Sequence, residues 1–152
     1  MPVIVLETQI KSPIGLCFDL SRDIDLHMRS TIQTREIAIA GVTKGLINMG
    51  DAVTWEATHF GIRQRLTSRI TAFNRPFHFR DSQVKGAFKR FDHDHFFETA
   101  DTGITLMRDV FDYTTPLGWL GTLADRFFLE SYLRSFLTKR NLLIKTVAES
   151  SR

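Results

Sequence analysis

Cysteine is nearly absent. Of 152 residues only Cys17 is one, which excludes an internal disulfide. No Cys/His cluster has the spacing of a structural zinc site, and a reducing cytosol is the expected compartment. Long hydrophobic runs are missing too. The opening Met1 to Ile10 has no basic leader, contains Glu7, and falls far short of the roughly 20 apolar residues of a membrane span, so neither a signal segment nor a transmembrane helix is expected. Charge of one sign forms no block: 20 Lys and Arg alternate with 17 Asp and Glu for a net charge of +3, a poor platform for nucleic acid. Gly41, Gly45, Gly50 and Gly61 fit no phosphate-loop pattern and read as turn residues, so no cofactor is expected. Polar-tipped aromatics are scarce as well. Two Tyr and two Trp stand against thirteen Phe, which implies broad apolar walls with few hydrogen bonds to satisfy.

No repeat, low-complexity tract or linker divides the chain, and residues 1–152 read as one domain. Val3 to Lys11 has the pattern of a strand. Ser12-Pro13 then has the form of a helix start, leading into a short helix from Ile14 to Leu20, and a second runs from Asp23 to Arg29. Six β-rich segments follow: Arg35 to Ala40, Ala52 to Phe60, Ile62 to Phe73, Phe77 to Val84, Phe88 to Thr99 and Ile104 to Tyr113. The connections are too short for parallel crossovers, so an antiparallel meander is expected. After Thr115-Pro116 the period becomes helical, with Leu120, Ala124, Phe128, Tyr132 and Phe136 four residues apart and Leu123 and Phe127 beside them. One long helix, Leu117 to Ala148, is predicted to pack that stripe on the concave face of the sheet.

This order of elements resembles the START-like (SRPBCC) superfamily, which includes the birch-pollen-allergen relatives and the polyketide cyclase/dehydrase-like proteins. Locally the chain looks most similar to a bacterial branch of small members. The segments that carry this are Asp23-Ile24-Asp25-Leu26-His27, Val53 to Gly61, Phe91-Asp92-His93-Asp94-His95-Phe96-Phe97, and Asp109 through Tyr113 to Pro116-Leu117-Gly118. The resemblance implies an α+β helix-grip fold: a seven-stranded antiparallel sheet curved around a long C-terminal helix, with two short helices between strands one and two. It also implies a small hydrophobic ligand, such as a lipid, sterol, quinone or polyketide, held between sheet and helix.

The hairpin from Phe88 to Tyr113 carries the most local information. A three-residue loop, Asp101-Thr102-Gly103, sets His95 opposite Asp109, Phe97 opposite Met107 and His93 opposite Phe111, all on one face. The other face holds Arg90, Asp94, Arg108 and Asp112 and is assigned to solvent. His95 is then expected to hold Asp109, whose unpaired charge would be costly in an oily cavity. That pair fits three roles: a polar pair fixing strand register, a group orienting a ligand carbonyl or hydroxyl, or a general acid/base in a cyclase or dehydratase. His93-x-His95 with Asp109 also has the makings of a metal set, but no supporting second shell is visible, and the expectation is no metal.

His59 shares a face with Trp55 and looks into the cavity or ends its strand on backbone. His27 closes the cavity mouth or is exposed, and His78 belongs to the wetter face. Cys17, between Leu16 and Phe18, reads as inert packing. The expected ligand-binding set is Trp55, His59, His93, His95, Phe97, Met107, Asp109, Phe111, Tyr113, Phe127 and Phe128, enclosing about 300–1,000 Å³. Arg126, Arg134, Lys139, Arg140 and Lys145 serve solubility and the helix dipole, with transient contact to a membrane surface as the alternative.

Overall fold

Seven strands form one fully antiparallel sheet in the order β1-β7-β6-β5-β4-β3-β2, so that the first strand closes against the last. A computed structural model of the chain describes residues 2–115 and 128–151. The strands are β1 (Val3–Ile10), β2 (Ile37–Gly41), β3 (Ala52–His59), β4 (Ile62–Asn74), β5 (His78–Lys85), β6 (Arg90–Asp101) and β7 (Ile104–Thr114). Helices α1 (Ile14–Ser21) and α2 (Ile24–Ser30) lie between β1 and β2, and α3 (Glu130–Ser150) follows the sheet. This is the helix-grip arrangement the sequence predicts. The expected helix residues 117–127 lie outside the described residues.

Local chemistry accounts for the boundaries. Asp23 caps α2 by accepting from the Leu26 amide at 3.1 Å. At α1 the cap position is Pro13 itself, which has no amide to satisfy. Ser12 works elsewhere: its hydroxyl donates to the Ala148 carbonyl at 3.1 Å and its own carbonyl accepts from Thr105 Oγ1 at 2.7 Å, tying α3 to the sheet. β2 begins two residues later than predicted because Arg35 takes a left-handed conformation, with φ 51°, to end a short 3₁₀ turn. Register shifts at Ala38/Ala40, Thr67/Ser68, Ile70/Ala72 and Thr99/Asp101 introduce the bulges that bend the sheet.

The last of these bulges sits in the β6–β7 hairpin, which turns through Gly103 at φ 70°. A Cβ there would meet nothing within 4 Å, so backbone strain alone opposes a side chain. Gly103→Ala should therefore cost about 1 kcal/mol in a urea titration. An unchanged midpoint would mean the turn relaxes into another geometry.

Two apolar clusters fill the space between sheet and helices. In the larger, Phe18 of α1 meets Phe73, Phe79 and Phe97 edge-on at 5.3–5.4 Å, and Ile144 packs from α3. The smaller gathers Ile4, Phe91, Phe111, Tyr113 and Leu137. Cys17 is fully buried, and burial pushes its thiol up, which agrees with inert packing.

The buried stripe of α3 differs from the predicted one. It consists of Leu137, Arg140, Asn141, Ile144 and Ala148, while Phe128 is 71% exposed. A strict four-residue repeat drifts by about 40° per step around a helix of 3.6 residues per turn, so Tyr132 and Phe136 end half-buried beside the fully buried stripe. Arg140 and Asn141 belong to that stripe.

Candidate functional site

Three adjacent strands build a polar cluster on the face toward α3. Alternation along β6 puts His93 and His95 on that face, β7 brings Asp109 opposite His95, and β5 brings Asp81 opposite His93. The hairpin register is as predicted. The hydrogen bonds, however, run along the diagonals: His93 Nε2 lies 2.8 Å from Asp109 Oδ1, and His95 Nε2 lies 2.7 Å from Asp81 Oδ1.

The expected bond from His95 to Asp109 is thereby corrected. His95 Nδ1 sits 3.4 Å from Asp109 Oδ1 but has no hydrogen-bond partner among the described residues. The cause is ring packing. His93 and His95 lie tilted against each other with centroids 3.8 Å apart, His95 lies face to face with Phe79 at 4.1 Å, and each ring meets the carboxylate of the neighbouring residue pair.

The facing helix completes the cluster. Asn141 Nδ2 donates to Asp109 Oδ2 at 2.7 Å, and Arg140 Nη1 lies 3.5 Å from Asp109 Oδ1 while donating to Asn141 Oδ1 at 2.9 Å. Arg140 Nη2 also donates to the Ser21 carbonyl at 3.0 Å. Asp109 is 1% exposed and Arg140 4%, so this ion pair is out of water. Arg140 does not belong to the exposed cationic face assigned to it from sequence. Two of its expected companions are engaged on the surface, Lys145 with Glu149 and Arg134 with Glu130, and Arg126 lies outside the described residues.

Burial works against ionising Asp109, yet the two imidazoles and Arg140 outweigh it and hold the carboxyl well below the usual range. Asp81 is lowered as well, its burial outweighed by His95 and His93. The two histidines separate. Burial favours a neutral His95, but Asp109 and Asp81 overcome it and raise its pKa, whereas burial and the neighbouring His95 together lower that of His93. His93 is the ring pushed toward neutrality: a carboxylate can only accept, so its Nε2 donates to Asp109, and its Nδ1 lies 3.9 Å from Asp81 Oδ1.

This cluster forms one end of a cavity of about 170 Å³. Asp81, His93, His95 and Arg140 line that end, and Ile47, Val53, Leu66, Ile70, Phe79, Phe91, Phe111 and Leu137 make the apolar walls. At the other end stand His27, Glu36, Trp55, His59 and Phe136. His27 Nε2 bonds Glu36 Oε1 at 2.7 Å and lies tilted against Trp55 with centroids 4.4 Å apart, and His59 Nδ1 meets the Tyr132 hydroxyl of α3 at 2.5 Å. Of its two sequence alternatives His59 takes the one that faces the cavity, and His27 lines the cavity too and is 23% exposed. The volume lies below the expected range; it is close to the roughly 150 Å³ of an engineered apolar cavity that accepts benzene.

Of the predicted binding set, Trp55, His59, His93, His95 and Phe111 line the cavity. Asp109 sits behind the histidines. Phe97 and Met107 pack under α1, with Ser21 Oγ 3.4 Å from the Met107 sulfur, and Tyr113 is fully buried in the smaller cluster. Phe128 faces outward, and Phe127 lies outside the described residues. Sequence reasoning missed Asp81, Asn141 and the role of Arg140. The available signal was the break in α3, where two polar residues fall three and four positions after Leu137 and ahead of Ile144. The outer face of β6 is as predicted, though Asp94 is covered by Arg80 at 2.9 Å and His78 at 2.6 Å.

Burial depresses the His59 pKa, only partly offset by the nearby Glu36 carboxylate. The folded protein therefore prefers the neutral ring. Its contribution is present above the unfolded value of about 6.5 and is lost as pH falls toward the lower folded value. Between about pH 7.5 and about pH 5.5 the melting temperature of wild type should fall more than that of His59→Gln. Parallel profiles would remove His59 from the acid response.

Comparisons with known proteins agree on the fold. No family model matches the chain, and no curated protein matches it. Among solved structures, TTHA0849 from Thermus thermophilus superposes with a TM-score of 0.79 at 14% identity, over 99% of each chain. The Zhui aromatase/cyclase from Streptomyces sp. R1128 gives 0.76 at 15% identity, over 97% of this chain and 93% of its own. The major latex-like protein 151 of Panax ginseng gives 0.70 at 18% identity, over 97% of both chains. The resemblance to START-like proteins thus holds for the fold. No helix among the described residues is long and apolar enough to cross a membrane.

Proposed function

We propose that this protein binds a small, largely apolar molecule bearing one oxygen function, with the hydrocarbon part against Phe79, Phe91, Phe111 and Trp55 and the oxygen at His93 and Arg140. One observation carries this reading: an apolar chamber that ends in a buried cluster of two carboxylates, an arginine and two histidines in opposite charge tendencies. A cluster that only fixed strand register would gain nothing from setting two imidazoles and an arginine in the wall of a cavity. At about 170 Å³ the chamber suits one or two fused rings rather than a two-chain lipid.

A second reading has its own support. Asp109 fixes the tautomer of a neutral His93, which leaves Nδ1 as a proton acceptor beside the ligand position, the arrangement of a general base in cyclase or dehydratase chemistry. Native mass spectrometry of protein purified gently from its host tests both. A bound small molecule recovered unchanged supports carriage, a changed mass after incubation supports catalysis, and repeated failure to find or add any ligand sinks both.

A further inference from the structure

The two histidines of the cluster turn like edges toward like partners. Their inner nitrogens, His93 Nε2 and His95 Nδ1, lie 2.8 and 3.4 Å from the same Asp109 oxygen, and their outer nitrogens lie 3.9 and 2.7 Å from the same Asp81 oxygen. Asp109 is in turn fixed by Asn141 and Arg140. An ion pair alone accounts for His95 and Asp81. It leaves unexplained why a second imidazole lies 3.8 Å from the first, centroid to centroid, with its outer nitrogen turned to the same carboxylate at 3.9 Å.

We propose that Asp81, His93 and His95 bind a divalent first-row transition ion at the polar end of the cavity, through His93 Nδ1, His95 Nε2 and the Asp81 carboxylate. The donor atoms all lie within 4.8 Å of one another. Bonds of about 2.0–2.1 Å to such an ion put ligand atoms roughly 3.3 Å apart. The 2.7 Å contact must open and the 3.9 Å one close by similar amounts, which rotation of the Asp81 side chain supplies. Asp109 then plays the part that outer carboxylates play in metal centres: it holds the imidazole N–H groups on the far side and orients both rings. Two histidines and a carboxylate suit zinc, iron(II) or cobalt(II) and leave coordination positions open toward the apolar chamber.

Charge selects what fills those positions. Asp81, Asp109 and Arg140 together carry one negative charge, so a divalent ion leaves the site one positive charge in excess. The matching ligand has an anionic oxygen, a carboxylate or an enolate, on an apolar body. This deepens the proposed binding function, and it rests on that reading only for the organic partner.

The test therefore uses metal alone. Chelator-stripped protein is titrated with Zn²⁺ by calorimetry and with Co²⁺ by visible absorption. The expected result is one saturable equivalent per chain and cobalt bands of a four- or five-coordinate ion. Asp81→Asn keeps an oxygen for His95 and should weaken binding at least about tenfold, whereas His78→Gln, on the outer face, should leave it unchanged. Nitrogen NMR of histidine-labelled wild type needs no variant: Zn²⁺ should shift His93 Nδ1 and His95 Nε2. No saturable binding, binding indifferent to Asp81→Asn, loss in His78→Gln, or unshifted cluster histidines would each overturn the assignment. A thermal-shift screen of apolar ligands run in chelator addresses the binding reading separately.

Discussion

Arg140→Met should destabilise the protein by about 3–5 kcal/mol, the cost found when one partner of a buried ion pair is removed. Met matches the aliphatic stem in length, so lost packing contributes little. The penalty is electrostatic. Asp109 is 1% exposed and keeps His93 and Asn141 as hydrogen-bond partners, but among the described residues it loses the only full positive charge held beside it at all pH values. The Ser21 carbonyl at the end of α1 also loses its donor from α3. At about 2–4 °C per kcal/mol for a chain of this size, the melting temperature should fall by roughly 10 °C. Adding Asp109→Asn in a double-mutant cycle should recover a large part of the loss, because the stranded charge is then gone. Additive effects would show that Arg140 acts independently of Asp109, through packing and its bond to the Ser21 carbonyl.

How legible was this cluster in the sequence? The hairpin was readable because Gly103 fixes a turn, and a turn fixes register for every residue behind it, which is how His93, His95 and Asp109 were placed on one face. Asp81 was not readable in the same way. The turn between β5 and β6 offers no equivalent register signal, and Asp81 sits in a strand with Arg80, Ser82 and Gln83, whose polarity conceals which face is buried. The diagonal hydrogen bonds were beyond sequence reasoning because they depend on how two neighbouring rings tilt against each other. In α3 the aromatic residues drew attention away from Arg140 and Asn141, since a buried arginine is recognised only once its carboxylate is known. The apolar framework, by contrast, followed from pattern: Trp55 and Phe111 alternate in strands whose outward positions are polar. Met107 and Tyr113 obey the same alternation but fall beneath α1 and beside Phe91, where the helices already fill the space.

A ring-sized apolar ligand at about 100 times its dissociation constant should stabilise the protein by roughly 2.7 kcal/mol, a rise of about 5–10 °C in melting temperature. The driving force is the cavity itself. At about 24 cal/mol per Å³, an empty apolar hole of about 170 Å³ costs on the order of 4 kcal/mol as an upper bound, a large share of the 5–15 kcal/mol that holds a typical domain together. Water can relieve that cost only where the polar end offers partners. Ser68 of β4 gives a way to fill the space from the protein side: it is 5% exposed and lines the cavity without engaging the His/Asp cluster. Ser68→Phe should place a ring in the chamber, abolish the ligand-induced shift for aromatic acids, quinones and small terpenoids, and leave the unliganded melting temperature equal or higher. Phe111→Asp provides the complementary loss, a charge on the apolar wall that should cost stability as well as binding. Should Ser68→Phe fold normally and still show the full ligand shift, the ligand would be bound somewhere other than this cavity.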